Sequence, residues 1–149
     1  LDFCFSTSVE EVKVVRKEDH APRWIGKTCK VQQVHPDYVG DHRTKLEWLE
    51  IDPGGSTDFR GHTGHEFVLV IEGQVEAIFK DSCGKTASHE LRAYDGIAFS
   101  SLTCHQFVNR GNSKAMLVTG RPSMSRPDDE PSVEWFFSSD SDCESGPAK

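Results

Sequence analysis

Long hydrophobic runs are missing from the sequence, whose longest apolar run covers only residues 67–71. A helix that crosses a bilayer needs about 20 apolar residues, so we expect neither a membrane span nor a membrane partner. The N-terminal residues also lack a signal-peptide pattern, because Glu10, Glu11 and Lys13 interrupt the apolar positions. Since the first residue is Leu1 rather than methionine, we expect the chain to be part of a longer protein.

Clustered positive charge is also missing. The net charge is −7, but seven acidic residues and a single lysine follow residue 127, so the rest of the chain is close to neutral. A protein that binds the phosphate backbone needs a basic patch or stripe, and we therefore expect no nucleic-acid binding by this segment. The 149 residues, 36% of them hydrophobic, fit one globular domain with a sizeable core.

The five cysteines are odd in number and contain no C-x-x-C pair. This pattern predicts neither a disulfide framework nor a zinc knuckle, and a cytoplasmic location is then the default expectation. Cys104 stands next to His105, and its opposite strand parity predicts a small hydrophobic residue on the other face of a sheet.

No segment has helical periodicity over a useful length. Apolar residues instead recur with period two in short segments that are separated by turn residues such as Asp52-Pro53-Gly54-Gly55. We predict strands over residues 28–34, 45–51, 59–72, 74–79, 88–91, 96–99, 105–109 and 114–119, with an edge strand or lead-in at 9–15. Short strands at close, even spacing indicate an antiparallel all-β sandwich or barrel.

The predicted domain organisation has three parts. Residues 1–8 form a disordered lead-in, 9–122 form the barrel, and 123–149 form an acidic, mostly disordered tail. Within the tail, the aromatic residues at 135–137 are expected to dock on the barrel, and the alternative is a short partner-binding motif. The polar loop at 35–43 is a candidate lid for the barrel mouth.

The most informative segment runs from residue 61 to residue 73. Because residues of equal parity share one face of a strand, His62, Gly64 and Glu66 are expected to point into the barrel, and His65 away from it. An imidazole and a carboxylate on one inward face form half of a metal site. His105 lies 43 residues after His62, and in an antiparallel barrel it can complete the two-histidine, one-carboxylate triad of non-haem Fe(II) oxygenases.

These segments resemble the two cupin motifs, G-x5-H-x-H-x3-4-E-x6-G and G-x5-P-x-G-x2-H-x3-N. His62-x3-Glu66-x6-Gly73 matches the later part of the first motif, and His105-x3-Asn109 matches the end of the second. With its flanking strands, the resemblance covers roughly residues 45–120. It implies an antiparallel double-stranded β-helix, the jelly-roll barrel of the cupins, which often form homodimers through edge strands.

Two departures from the motifs refine the resemblance. Arg60 replaces the usual first histidine, and Ser100 and Leu102 replace the proline and glycine of the second motif. A His-Glu-His set is similar to that of the hydroxypropylphosphonate epoxidase branch. The resemblance implies His62, Glu66 and His105 as ligands of a divalent metal, with Fe(II) favoured over Mn, Ni or Zn. The alternative is a degenerate cupin whose buried polar residues satisfy each other without a metal.

Arg60 is also the candidate substrate-binding residue, since its parity is inward and a guanidinium binds carboxylate or phosphonate with two parallel hydrogen bonds. The simpler interpretation is an arginine at the barrel mouth that pairs with an acidic residue.

The predicted function is that of a metal-dependent cupin, a non-haem Fe(II) oxidoreductase of the oxygenase or epoxidase kind acting on a small polar or anionic molecule. Two alternatives are a ligand-sensing cupin domain from a regulator with a helix-turn-helix, which the same branch includes, and a non-catalytic storage or scaffold cupin. An upstream helix-turn-helix would favour the regulator, and purification without metal would favour the scaffold.

Overall fold

Nine β-strands make up the regular structure of the residues that are described. The computed structural model describes Val14, residues 16–19, 21–25, 27–33, 44–61 and 64–122, and Cys143. None of these residues is helical, so the described segments include no membrane-spanning helix. The strands are β1 (Arg23–Ile25), β2 (Cys29–Gln33), β3 (Thr44–Ile51), β4 (Glu66–Glu72), β5 (Gln74–Lys80), β6 (Thr86–Arg92), β7 (Gly96–Phe99), β8 (His105–Val108) and β9 (Ala115–Pro122).

The strands form two antiparallel sheets. Six strands lie in the order β1-β2-β3-β9-β4-β7, and three lie in the order β6-β5-β8. Strands that are distant in sequence thus become neighbours, as β4 does with β9 and β5 with β8. This arrangement confirms the all-β jelly-roll fold that the sequence predicts.

The core lies between the sheets and follows the alternation of each strand. On β4, Val68 and Val70 point inward while Phe67 and Leu69 point to solvent. Burial of each large apolar side chain contributes about 1.5–3 kcal/mol to folding. The buried cluster contains Cys29, Leu49, Ile51, Val68, Val70, Val75, Ala77, Leu91, Phe99, Phe107, Ala115 and Leu117.

Gly73 makes the turn between β4 and β5, as the cupin motif implies. Its φ of +78° belongs to the left-handed region that favours glycine. A Cβ at this position would lie 2.9 Å from the carbonyl oxygen of Lys114 and 3.0 Å from the Cα of Ala115. The turn can therefore pack directly against the start of β9 only because residue 73 has no side chain.

Asn109, the last residue of the second motif, is fully buried and serves the fold. Its Nδ2 donates to the carbonyl oxygens of Ile51 (3.0 Å) and Ser113 (2.8 Å), and its Oδ1 accepts from the backbone N–H of Gly111 (2.9 Å). One amide thus ties the end of β3 to the turn before β9.

An Asn109→Ala variant is expected to lose about 1–3 kcal/mol of unfolding free energy, because the buried Ile51 carbonyl loses its side-chain donor. Urea denaturation measures the loss. The control is Asn112→Ala in the same turn, where the side chain is exposed and the expected change is within about 0.5 kcal/mol. Equal losses in the two variants would contradict this role.

Two strand predictions need correction. The short strand β1 was not predicted. The predicted strand at 59–72 is wrong in its first half, because β4 begins only at Glu66 and Gly64 has a φ of +86°. Strand parity therefore does not extend from Glu66 back through residue 64. The predictions for residues 1–8 and 35–43, those for 9–15 except at Val14, which is not in a strand, and nearly all of those for the tail lie outside the described residues.

The expectation of no disulfide is wrong, because Cys104 is bonded to Cys143, 39 residues later, with 5.8 Å between the Cα atoms. Cys104 precedes β8, so strand alternation does not determine which way its side chain points. The prediction that it is a small hydrophobic residue on the other face of a sheet is therefore also wrong. Cys143 is buried and is the single residue of the tail that the structure describes.

Cys29 differs from the bonded pair. Burial raises the pKa of its thiol to about 12, and the carboxylates of Asp58 and Asp52 act in the same direction. The folded chain therefore keeps this proton at pH values where the unfolded chain has lost it.

Stability should consequently fall as the pH rises from about 9 towards 12, by at most about 1.4 kcal/mol per pH unit from this group. Urea denaturation of the wild type and of Cys29→Ala across that range isolates the contribution. The variant should have the flatter profile; parallel profiles would show that Cys29 does not titrate in this way.

Candidate metal centre

Glu66 and His105 begin two strands of opposite sheets, β4 and β8, and both side chains are buried at one end of the barrel. Nε2 of His105 lies 2.8 Å from Oε2 of Glu66. His65, the neighbour of Glu66, is exposed, as the sequence predicts. Two of the three predicted ligands are thus brought together by the fold.

The His105 ring has a fixed tautomer. Its Nδ1 lies 2.8 Å from the carbonyl oxygen of Thr103, which can only accept a hydrogen bond, so Nδ1 carries a proton. In the neutral ring Nε2 then offers a lone pair towards the carboxylate of Glu66. At a distance of 2.8 Å, the two atoms can share a proton or coordinate one metal ion.

These donors fit a divalent metal. Ligands at right angles on bonds of about 2.1 Å lie about 3 Å apart, which is close to the observed spacing. A carbonyl that holds the far nitrogen of the imidazole is a common support of metal-binding histidines. Among the described residues no third His, Cys, Asp or Glu completes a cluster, and the third predicted ligand, His62, lies outside them.

The chain on both sides of position 62 is attached to the turn that precedes His105. The backbone N–H of Arg60 donates to His105 O (3.0 Å), and that of His105 donates to Arg60 O (2.8 Å). A Cβ at Gly61 would lie 2.9 Å from Leu102 O, and Gly64 N donates to Ser101 Oγ (2.8 Å). The described residues before and after positions 62 and 63 therefore both contact the segment 101–105.

Aromatic residues enclose the His105 ring. Phe99 stacks on it with a centroid distance of 4.2 Å and an interplanar angle of 11°, and Phe107 meets it edge-on at 5.8 Å. These contacts hold the orientation of the ring and keep its surroundings apolar, which strengthens electrostatic interactions at Nε2.

A cavity of about 130 Å³ extends from Glu66 and His105 into the barrel. Its described charged residues are three arginines and three carboxylates. The lining residues are Arg23, Ile25, Glu47, Leu49, Thr57, Asp58, Arg60, Glu66, His105, Phe107, Thr119 and Arg121.

Arg60 lines this cavity and also forms an ion pair, since its Nη2 lies 2.6 Å from Oδ2 of Asp58 and its side chain is 34% exposed. The structure thus shows the paired arginine that the simpler interpretation of the sequence describes, at a position that still faces the cavity.

Arg121 and Glu47 are cavity residues that the sequence analysis missed. The signal was present in the alternation of β9, where Leu117 and Thr119 point inward and Arg121 follows with the same parity. Arg121 was missed because the predicted strand ended at Thr119, whereas β9 continues to Pro122.

Residues 47–120 match the family model of the cupin domain. No curated protein matches the sequence. Many solved structures share the fold. The polyketide cyclase RemF from Streptomyces resistomycificus is 22% identical with a TM-score of 0.64, and the alignment covers 83% of this chain and 89% of the cyclase.

Two further structures are similar at lower coverage of their own chains. Hydroxypropylphosphonic acid epoxidase from S. wedmorenis is 14% identical with a TM-score of 0.65, over 76% of this chain and 61% of the epoxidase. A single-residue variant of oxalate decarboxylase from Bacillus subtilis is 16% identical with a TM-score of 0.61, over 70% of this chain and 28% of the decarboxylase. The family match and these folds agree: the chain is a cupin, with its cupin domain at residues 47–120.

Proposed function

We propose that this cupin is a metal-dependent oxidoreductase that uses Fe(II) and acts on a small polar or anionic molecule. The observation that carries the proposal is the buried pair of Glu66 and His105, whose donor atoms lie 2.8 Å apart at the end of a cavity, a spacing that suits two ligands of one metal ion. Glu66, His105 and His62 would hold the ion. Iron(II) bound there would supply Lewis acidity and redox chemistry with dioxygen.

The chain's own residues have distinct tasks in this proposal. The carbonyl of Thr103 keeps the proton on Nδ1 of His105 and so leaves Nε2 as the donor. Phe99 and Phe107 exclude water from the imidazole. The cavity orients the substrate next to Glu66 and His105, which favours reaction by proximity.

The similar structures support a metal-dependent site more than they support any particular reaction. The epoxidase, the decarboxylase and the cyclase perform different chemistry on one scaffold, and a fold does not fix a reaction. Manganese, nickel and zinc suit a donor set of this type as well. A ligand-sensing cupin from a regulator and a non-catalytic cupin are the competing functions.

Three expectations about context stay predictions. They are a small-molecule ligand without a nucleic-acid partner, a homodimer, and a cytoplasmic location. The location was expected from the lack of a disulfide, and the bond between Cys104 and Cys143 removes that basis. The dimer draws support from Phe67, Leu69 and Leu46, which are exposed on the outer face of the six-stranded sheet, because contiguous apolar surface of this kind marks many protein interfaces.

The test is elemental analysis of protein purified without a metal-chelating tag, followed by anaerobic loading with Fe(II) and measurement of oxygen uptake with phosphonates and hydroxy acids. About one metal ion per chain and substrate-dependent oxygen uptake are the expected results. Protein that takes up no metal even after loading would exclude the enzyme and leave a sensor or scaffold.

A further inference from the structure

Arg121 and Glu47 form a charged pair in the cavity, separate from the candidate ligands Glu66 and His105, and Nη2 of Arg23 lies 3.9 Å from Oε2 of Glu47. Nη2 of Arg121 lies 3.5 Å from Oε1 of Glu47, and the side chains are only 11% and 9% exposed. Apolar residues of similar size often stabilise a fold as well as a buried ion pair does. Folding alone therefore gives little reason for charges at these two positions.

The register of the sheet places this pair beside the candidate metal centre. Strand β9 pairs with β4 so that Gly120 lies opposite Phe67 and Thr119 opposite Val68. Continuing the register by one residue puts Arg121 opposite Glu66, and both residues line the same cavity. A ligand bound next to Glu66 and His105 would thus meet the guanidinium of Arg121.

The charges of the cavity favour an anion once a divalent ion is bound. The three arginines and three carboxylates among its described residues balance, so the metal would add two uncompensated positive charges. In a partly buried site such an excess attracts a negative ligand strongly, because the effective dielectric constant is lower than that of water.

The volume of the cavity sets the size of the ligand. A cavity of about 150 Å³ in another protein accommodates benzene, and this one measures about 130 Å³. A ligand of about six non-hydrogen atoms therefore fits in this volume.

We infer that Arg121, oriented by Glu47, anchors a small organic carboxylate whose other end reaches Glu66 and His105. A guanidinium presents paired N–H donors that match a carboxylate. Arg60 is less suited to this task, because Asp58 already lies 2.6 Å from its Nη2. The inference rests on the proposed function, which supplies the bound metal. It narrows the substrate of that function to small organic carboxylates.

Isothermal titration calorimetry with lactate and with its neutral analogue lactamide tests the anchor, in both Mn(II)-loaded and metal-free protein. Wild-type protein should bind lactate and not lactamide, and should bind lactate more tightly when loaded. In Arg121→Gln, lactate affinity should fall about 10- to 100-fold, and Arg121→Lys should restore part of it.

Two variants separate the anchor from folding and from general charge. Glu47→Gln/Arg121→Gln removes both charges of the pair together and should fold while binding lactate weakly. Arg110→Gln removes an exposed arginine that pairs with Glu76 and is not a lining residue of the cavity, and its lactate affinity should match the wild type.

Equal lactate affinity in wild type and Arg121→Gln, or no lactate binding by the wild type, would overturn the inference. Protein that takes up no metal would overturn the proposed function alone, and lactate binding that still depends on Arg121 in that protein would uphold the anchor.

Discussion

Replacing His105 with alanine should abolish metal binding, lowering the metal content from about one ion per chain to a trace. Loss of an outer residue that merely supports a ligand already costs about 10- to 100-fold in metal affinity, so loss of a ligand should cost at least about 100-fold. The removed Nε2 is the atom that faces Glu66 at 2.8 Å. Elemental analysis and a competition titration with a chromogenic chelator measure the effect.

Glu66→Gln is the sharper version of the same test, because it keeps the size and shape of the side chain and removes only its charge. It should lose metal as His105→Ala does while retaining the wild-type circular dichroism spectrum. His65→Ala is the matched control, since His65 is exposed and adjacent in sequence. Full metal content in Glu66→Gln would refute the proposed ligand set.

Phe99→Ala should lower the free energy of unfolding by about 3–5 kcal/mol, the largest stability effect that we expect from one substitution. Phe99 is buried, stacks on His105 at 4.2 Å, and lies 6.0 Å from the ring centroids of both Phe79 and Phe107. The void left behind would remove packing on several sides at once. Urea denaturation monitored by circular dichroism measures the loss.

Phe67→Ala provides the comparison, because Phe67 belongs to the neighbouring strand and pairs with Ala98, the residue before Phe99. Its side chain points outward and is 65% exposed, so the same chemical change should cost less than about 1 kcal/mol. Similar losses in the two variants would mean that Phe99 is not part of a tightly packed core.

The fold and half of the candidate site were predictable because they depend on local patterns. Period-two alternation and turn residues predicted most of the strands, and the glycine at position 73 marked the turn between β4 and β5. The spacing of Glu66 and His105 within the cupin motifs anticipated their meeting across the barrel.

Other features depend on where strands begin and end, which alternation does not define. The left-handed backbone at Gly64 interrupts the parity on which the inward direction of His62 was based. The extra residues of β9 bring Arg121 into the cavity. The bond between Cys104 and Cys143 spans 39 residues and follows no spacing rule, so only three-dimensional proximity identifies it.

The disulfide also changes the covalent topology of the molecule. Residues 104–143 form a closed ring of chain that contains β8 and β9, both of which contribute side chains to the cavity. A protease that cuts once between residues 123 and 142 would open this ring without releasing a fragment. The cut protein would migrate as one species on a gel without reductant and as two with it, and the smaller piece would begin at the cut and still carry Cys143.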